Sequence, residues 1–300
     1  MGRRGAAFAV LAVFKNEATN ISEWVSHYVS QGAFKIVLVN NGSCDRWRGA
    51  LERSSFKDVL IIKEDPRPHA QLSIYRDVLK SGVFADCKWL LVCDLDEFVY
   101  ARNGYASIAG FLESFPLRRV GAIMLPWKNF GSSGHDLQPK HLRESFIARA
   151  RVPFPEPVPG FSRGKYLCRV EFTRDIDIHH PLLKKGCYIL SSGRDISCYL
   201  SRIYGGFAPN SESELEASCL HVNHYPIQSR SYFVSVKSVR GDAYFSDPAL
   251  QVKNMAYFEK FDRNDIIDEE LALLARREKS LRSHFAAFLR RFRASLRLRR

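Results

Sequence analysis

Apolar runs recur along the first 125 residues at Phe8–Phe14, Phe34–Val39, Val59–Ile62, Trp89–Val92 and Val120–Leu125. Each is short and rich in Val, Ile, Leu or Phe, as strands buried on both faces of a parallel sheet are. Between the runs the period changes to that of helices. Asn20 stands where an N-cap would, ahead of Ile21, Trp24, Val25, Tyr28 and Val29 on one face. A second helix begins at Ser43 or Asp45 and reaches about Ser54, and a third covers about Ala70 to Ser81 with Leu72, Tyr75, Val78 and Leu79 inward. Alternation of this kind predicts an α/β fold, a doubly wound and mostly parallel sheet flanked by helices.

Beyond Phe130 the texture changes. Gly131-Ser-Ser-Gly134 reads as a loop, and the four prolines between Val152 and Gly160 exclude helix there. Strand-like pieces follow around Tyr166–Phe172 and Cys187–Leu190, and a helix is expected over Ser229–Val239. From Asn264 onward Leu281, Phe285, Phe288, Leu289, Phe292 and Leu296 recur at helical spacing between arginines, predicting a basic amphipathic tail. The expected organisation is a domain over residues 1–260, with halves of about 1–130 and 131–260, followed by a helical tail over 261–300.

Charge sharpens this picture. The net charge is +13, and the stretch Arg276–Arg300 holds ten Lys/Arg against Glu278 alone, leaving about +4 for the rest. A body so mildly basic argues against a nucleic-acid partner. The tail suits an anionic membrane surface better, its alternative being to pack on its own domain. Seven cysteines scattered singly argue against a disulfide framework and for a reducing compartment. The start, Met1-Gly-Arg-Arg followed by an apolar run, imitates a signal peptide, but Lys15-Asn16-Glu17 closes the run without a cleavage site, and a first buried strand accounts for it better. The expected location is cytoplasmic, peripheral at the inner face of the membrane.

The most informative segment is Trp89-Leu-Leu-Val-Cys-Asp-Leu-Asp-Glu-Phe98, an apolar strand running into three carboxylates. In open α/β sheets ligands bind beyond the carboxyl ends of strands. Asp94 and Asp96 are two apart, so on a regular strand both face the same side. Their mutual repulsion calls for a countercharge, which Mg²⁺ or Mn²⁺ bridging a diphosphate supplies. A solvated acidic turn is the plainer reading of such a pair. Two further strand ends deliver polar groups to the same rim: Lys15-Asn16-Glu17, and Asn40-Asn-Gly-Ser-Cys-Asp45.

Taken in order, Lys15-Asn-Glu-Ala18, Glu23-Trp24, His27-Tyr28, Asn41-Gly-Ser-Cys-Asp45 and Asp94-Leu-Asp-Glu-Phe98 resemble the motifs of glycosyltransferase family 92 and related family-2-like glycosyltransferases. The resemblance continues through Trp127-Lys-Asn-Phe-Gly-Ser-Ser-Gly-His135, Lys165-Tyr-Leu-Cys-Arg169 with His179-His180, and Asn223-His-Tyr225 with Ser229, Lys237 and Arg240-Gly241. It spans about residues 8–245. It implies a GT-A fold and transfer of a hexose, such as galactose, from a nucleotide-sugar such as a UDP-hexose to a glycan or glycolipid acceptor, with inversion.

By the same resemblance Asp96 is the main metal ligand, Asp94 touches metal or ribose, and His224 is the candidate third ligand, with His179 and His180 as rivals. An imidazole ligand suits Mn²⁺ better than Mg²⁺. Asn16, Glu17 and Asp45 line the nucleoside pocket. Lys237 and Arg240, three apart on a helix, clamp the departing diphosphate, an exposed basic face being the alternative. Glu144 is the first candidate for general base and Asp136 the second; for Glu144 an ion pair is the competing reading. Trp127, Phe130 and His135 contact the acceptor sugar, with His179 and His180 beside them. Rival classes are a nucleotidyltransferase using the same metal chemistry, a dehalogenase-type phosphatase, and a non-enzymatic nucleic-acid or membrane binder acting through the tail. The phosphatase is disfavoured because its Asp-x-Asp follows the first strand, and here Glu97-Phe98 trail a later one.

Overall fold

The computed structural model describes residues 8–52, 56, 58–152, 161–200, 208–209, 211–241 and 253–281. Among these, nine strands form the main sheet: β1 (Phe8–Phe14), β2 (Lys35–Asn40), β3 (Leu60–Glu64), β4 (Trp89–Val92), β5 (Glu97–Ala101), β6 (Val120–Asn129), β7 (Gly164–Arg169), β8 (Cys187–Leu190) and β9 (Leu220–His224). Their order is β3-β2-β1-β4-β7-β6-β9-β5, with β8 against β6. All run the same way except β7, antiparallel between β4 and β6, and β5, antiparallel to β9. This is the expected mixed α/β architecture with a large, mostly parallel sheet, consistent with a GT-A-like fold.

Both faces of the sheet are covered, which is why β1 is apolar at every position. Alternation sends Phe8, Val10, Ala12 and Phe14 into one core and Ala9, Leu11 and Val13 into the other. Helix α1 (Ile21–Ser30) covers the first with Trp24, Val25 and Tyr28, and α3 (Gln71–Lys80) covers the second with Ile74, Tyr75 and Val78. Between β2 and β3 lies the short α2 (Trp47–Glu52). Asn20 is at the N-cap of α1, but its side chain makes no cap bond because it turns to Glu17, Gln228 and Tyr232 instead.

Strand β6 is ten residues long and serves three partners. One edge pairs with β7; the other pairs with β8 through Val120–Met124 and with β9 through Trp127–Asn129. The sequence pattern ends this strand at Leu125, four residues early, because Pro126 and the polar Lys128 and Asn129 break its apolar run.

The segment expected as the start of a separate tail is knit into the body. Helix Met255–Phe261 packs Phe258 on Phe233, and Ile266–Ile267 pairs antiparallel with Ala148–Arg149. The helix over 270–281 buries Leu271, Ala272 and Ala275. Residues 282–300, which hold most of the predicted amphipathic helix, lie outside the described residues. Among the described residues no helix is long and apolar enough to cross a membrane, and no disulfide joins any of the seven cysteines.

Candidate active site

Because β1, β2, β4, β6 and β9 run in one direction, their carboxyl ends meet at one edge of the sheet. The predicted polar clusters therefore do share a rim. Asn16, at φ 55°, takes the left-handed conformation that asparagine tolerates. Its backbone N–H donates to Ser43 Oγ (2.9 Å), and its Oδ1 accepts from Cys44 N (2.9 Å). Asp45 Oδ2 accepts from Ala18 N at 2.7 Å, tying the two loops together, while its Oδ1 is buried without a hydrogen-bond partner among the described residues.

The strand β4 stops at Val92, so Asp94 and Asp96 lie in the turn into β5, and the two-residue alternation that predicts a common side does not apply. Each carboxylate has its own buried lysine. Asp94 Oδ2 accepts from Lys165 Nζ at 2.7 Å, and its Oδ1 from Gln71 Nε2 and Tyr75 OH at 3.1 and 3.2 Å. Asp96 pairs with Lys237. Burial pushes both carboxyls up, but the lysines outweigh it, and both stay ionised below the ordinary range.

Glu97, the third acid of the run, is the most enclosed. Its Oε1 accepts from Trp127 Nε1 at 2.7 Å and its Oε2 from Asp94 N at 2.8 Å. Burial, with Asp94 and Asp96 nearby, raises its carboxyl to about 8 despite Lys165. Antiparallel pairing of β5 with β9 sets Glu97 opposite His224.

The His224 Nδ1 lies 2.8 Å from Asn129 Oδ1, an acceptor, so Nδ1 carries the proton and Nε2 presents its lone pair. Burial lowers the imidazole to about 3, which keeps it neutral. Trp127 stacks on this ring with centroids 4.3 Å apart. Asp96, Glu97 and His224 thus bring ligand atoms within 4.8 Å of one another, all buried. The Asp96 carboxylate, Glu97 once a cation displaces its proton, and a neutral imidazole oriented from behind by an amide are a donor set that fits Mn²⁺, or less well Mg²⁺. Asp94 stands beside this set, on Lys165.

Helix 230–237 supplies the cations, close to the expected span of 229–239. Ser229 Oγ caps it by accepting from Tyr232 N at 3.2 Å, and Phe233–Lys237 form a π-helical stretch. Phe233 and Lys237 face inward, and Val234 and Val239 outward. Three residues past Lys237, Arg240 pairs with Glu17. Glu17 is buried, and its Oε2 also accepts from Asn20 Nδ2 and Tyr232 OH at 2.9 and 3.0 Å. Both predicted clamp residues therefore reach the rim, Lys237 without solvent exposure.

The acceptor-side residues divide. Trp127 walls the cation site, and His179 meets its edge at 5.3 Å. The His179 ring lies 3.2 Å from Gly164 O through Nδ1, and burial lowers it to about 3. His180 is half-buried, its carbonyl accepting from Asp177 N. Phe130 has no exposed face and packs on Tyr225. His135 Nε2 lies 3.0 Å from Ser145 O. Asp136 is exposed on a loop whose carbonyl accepts from Ser231 N at 2.9 Å, at the start of the Lys237 helix. Glu144 is in an ion pair with Lys279. Sequence reasoning missed the roles of Glu97 and Lys165. Glu97 was visible as a third acid, and Lys165 lay within a quoted block, but only the strand order brings them to the centre.

No protein-family model matches the sequence, and no curated protein matches it. Solved structures with some likeness include the mannosyltransferase PcManGT from Pyrobaculum calidifontis in complex with GDP-Man and Mn²⁺ (20% identity, 39% of this chain and 34% of that one, TM-score 0.33). S. aureus TarS 1–349 in complex with UDP-GlcNAc follows (15%, 55% and 46%, TM-score 0.36). A third is HddC from Yersinia pseudotuberculosis (9%, 70% and 97%, TM-score 0.38). The chain spans about a third of the mannosyltransferase's length and under half of TarS's.

Proposed function

We propose that the chain is a divalent-cation-dependent glycosyltransferase, moving a hexose from a nucleotide-sugar, a UDP-hexose first among them, to a glycan or lipid-linked acceptor with inversion. The observation that carries this reading is the buried Asp96–Glu97–His224 set at the carboxyl edge of the sheet, with Lys237 on Asp96. The ordered motif resemblance over about residues 8–245 supports the choice of sugar transfer over other chemistry at such an edge.

In this reading Asp96, Glu97 and His224 hold Mn²⁺ or Mg²⁺, which when bound neutralises charge developing on the leaving diphosphate. Trp127 and Asn129 keep Glu97 and His224 in place. Lys237 and Arg240 bring two further positive charges to the same oxygens. Asp45 Oδ1, buried without a partner among the described residues, suits a ribose hydroxyl or a base N–H. Inversion needs a carboxylate to take the acceptor hydroxyl's proton. Asp136, exposed beside the Lys237 helix, is better disposed for it than Glu144, whose charge is met by Lys279.

A thermal-shift screen of UDP- and GDP-sugars with and without Mn²⁺ tests the proposal. At least one nucleotide-sugar is expected to raise the melting temperature only with Mn²⁺, and Asp96→Ala to remove that shift. Mn²⁺-independent behaviour across the whole panel would sink the reading, and a shift that survives Asp96→Ala would misplace the site.

A further inference from the structure

Lys237 occupies an unusual position for a residue meant to meet a diphosphate. Its ammonium is wholly enclosed and already bonded to Asp96, a member of the carboxylate–imidazole set. Four residues earlier in the same helix Phe233 packs on Phe258 and Tyr257, which fixes this helix against the body. The neighbouring cations are equally committed, Lys165 to Asp94 and Arg240 to Glu17.

The charge count around the rim follows directly. Among the described residues three acids held in ion pairs, Glu17, Asp94 and Asp96, and the largely protonated Glu97 face Lys165, Lys237 and Arg240, with Lys253 close enough to act on Lys237 and His224. The rim is thus close to balanced by the chain's own groups. A divalent cation arriving alone must share Asp96 with Lys237 and leaves a buried ammonium short of its counterion, which is costly. A nucleoside diphosphate arriving alone adds several negative charges to buried carboxylates. Arriving together they cancel: the diphosphate takes over the ammonium as the cation takes over the carboxylate.

We propose that Lys237 makes cation binding and nucleoside-diphosphate binding interdependent, admitting a divalent ion to Asp96 only when a diphosphate accepts the lysine's charge. This rests on the transferase reading above, in which a cation meeting the diphosphate already links the two ligands; what it adds is that Lys237, through Asp96, carries that link. Lys237 is here a positioning residue for the ion and the place where the two ligands' energies are joined.

The test is direct Mn²⁺ binding to the full chain, followed by the electron paramagnetic resonance signal of free Mn²⁺, with MnCl₂ alone and with UDP or GDP. In the wild type one of the nucleotides is expected to tighten Mn²⁺ binding by about tenfold or more, within the usual span of coupling between sites. In Lys237→Met, Mn²⁺ alone is expected to bind about tenfold tighter than to wild type, with little further gain from nucleotide. Mn²⁺ binding in the wild type that ignores both nucleotides, or a Lys237→Met protein that binds Mn²⁺ alone no better, overturns the coupling. Lys237→Gln repeats the test should Lys237→Met fail to fold, and because linkage is reciprocal, wild-type nucleotide binding that is indifferent to Mn²⁺ overturns the coupling whatever the variants do. Asp96→Ala separates the two proposals. If it abolishes Mn²⁺ binding while coupling is absent, the metal site stands and the Lys237 inference falls; if Mn²⁺ binding is unchanged by it, both fall.

Discussion

Two clusters of buried charge sit back to back on β5, β6 and β9, and they differ in one telling way. On one face Glu97, Trp127, Asn129 and His224 surround Asp96 and Lys237. On the other Tyr100, Lys128 and His221 meet Asp268 and Glu270 from the C-terminal segment. Each has a fully buried lysine, two acids and a histidine. In the rear cluster the charges satisfy one another. Lys128 donates to Asp268 at 2.9 Å and to Tyr100 OH at 2.7 Å, and both nitrogens of His221 have partners, Glu270 Oε2 at 3.1 Å and Leu215 O at 2.7 Å. In the front cluster His224 uses only Nδ1 among the described residues, and Glu97 is driven to about 8 by its enclosure. A cluster built to hold a fold together closes its own valences. One built to receive a ligand leaves a lone pair and a strained acid behind.

The comparison breaks most readily at the rear. Lys128→Met leaves the largely enclosed Asp268 with Arg149 and the Glu270 N–H as partners, and is expected to cost about 2–3 kcal/mol of stability in urea unfolding, less than the full penalty of an orphaned buried charge. A loss near zero would mean that this cluster is no brace. At the front, Asn129→Ala removes the group that fixes the His224 tautomer. It is expected to weaken Mn²⁺ binding about 10- to 100-fold, the scale seen when a partner behind a metal ligand is lost, with a smaller stability effect. Mn²⁺ affinity unchanged in that variant would argue that His224 is not a ligand.

The smallest effect concerns pH. Burial, with Arg143 beside it, lowers the imidazole of His27 below its ordinary 6.5. Below about 6.5 the unfolded chain takes up protons there and the folded chain does not, so stability falls as pH falls. The melting temperature is expected to drop between about pH 7 and pH 5, and His27→Gln to make that slope shallower. An equally steep slope in the variant would shift the cause to other groups.

Much of this fold was legible because β1, β2 and β4 are buried on both faces and so read as unbroken apolar runs, with helical periods between them. The edge carrying the ligand groups followed from the same pattern. What could not be read was long-range order. Lys165 reaches Asp94 only because β7 is inserted antiparallel between β4 and β6, and Glu97 meets His224 only because β5 runs back along β9. Neither insertion leaves a local trace. Other misses were within reach. Trp127 and Phe130 are three apart at the end of an extended segment and so face opposite ways, which sends Trp127 to the site and Phe130 into the core. The early stop assigned to β6 hid that alternation. Asp94 and Asp96 were paired on strand geometry that ends two residues before them.

Strand β6 has a consequence for how this molecule tolerates change. Its last three residues alternate between duties: Trp127 and Asn129 serve the ligand face, while Lys128 serves the brace. A one-residue insertion or deletion upstream in β6 would exchange those faces, placing an ammonium against His224 and an indole against Asp268. Drift in this strand is therefore confined to substitutions that keep its phase. Length variation among relatives of this chain should collect in the loops that flank β6 and be absent from the strand itself.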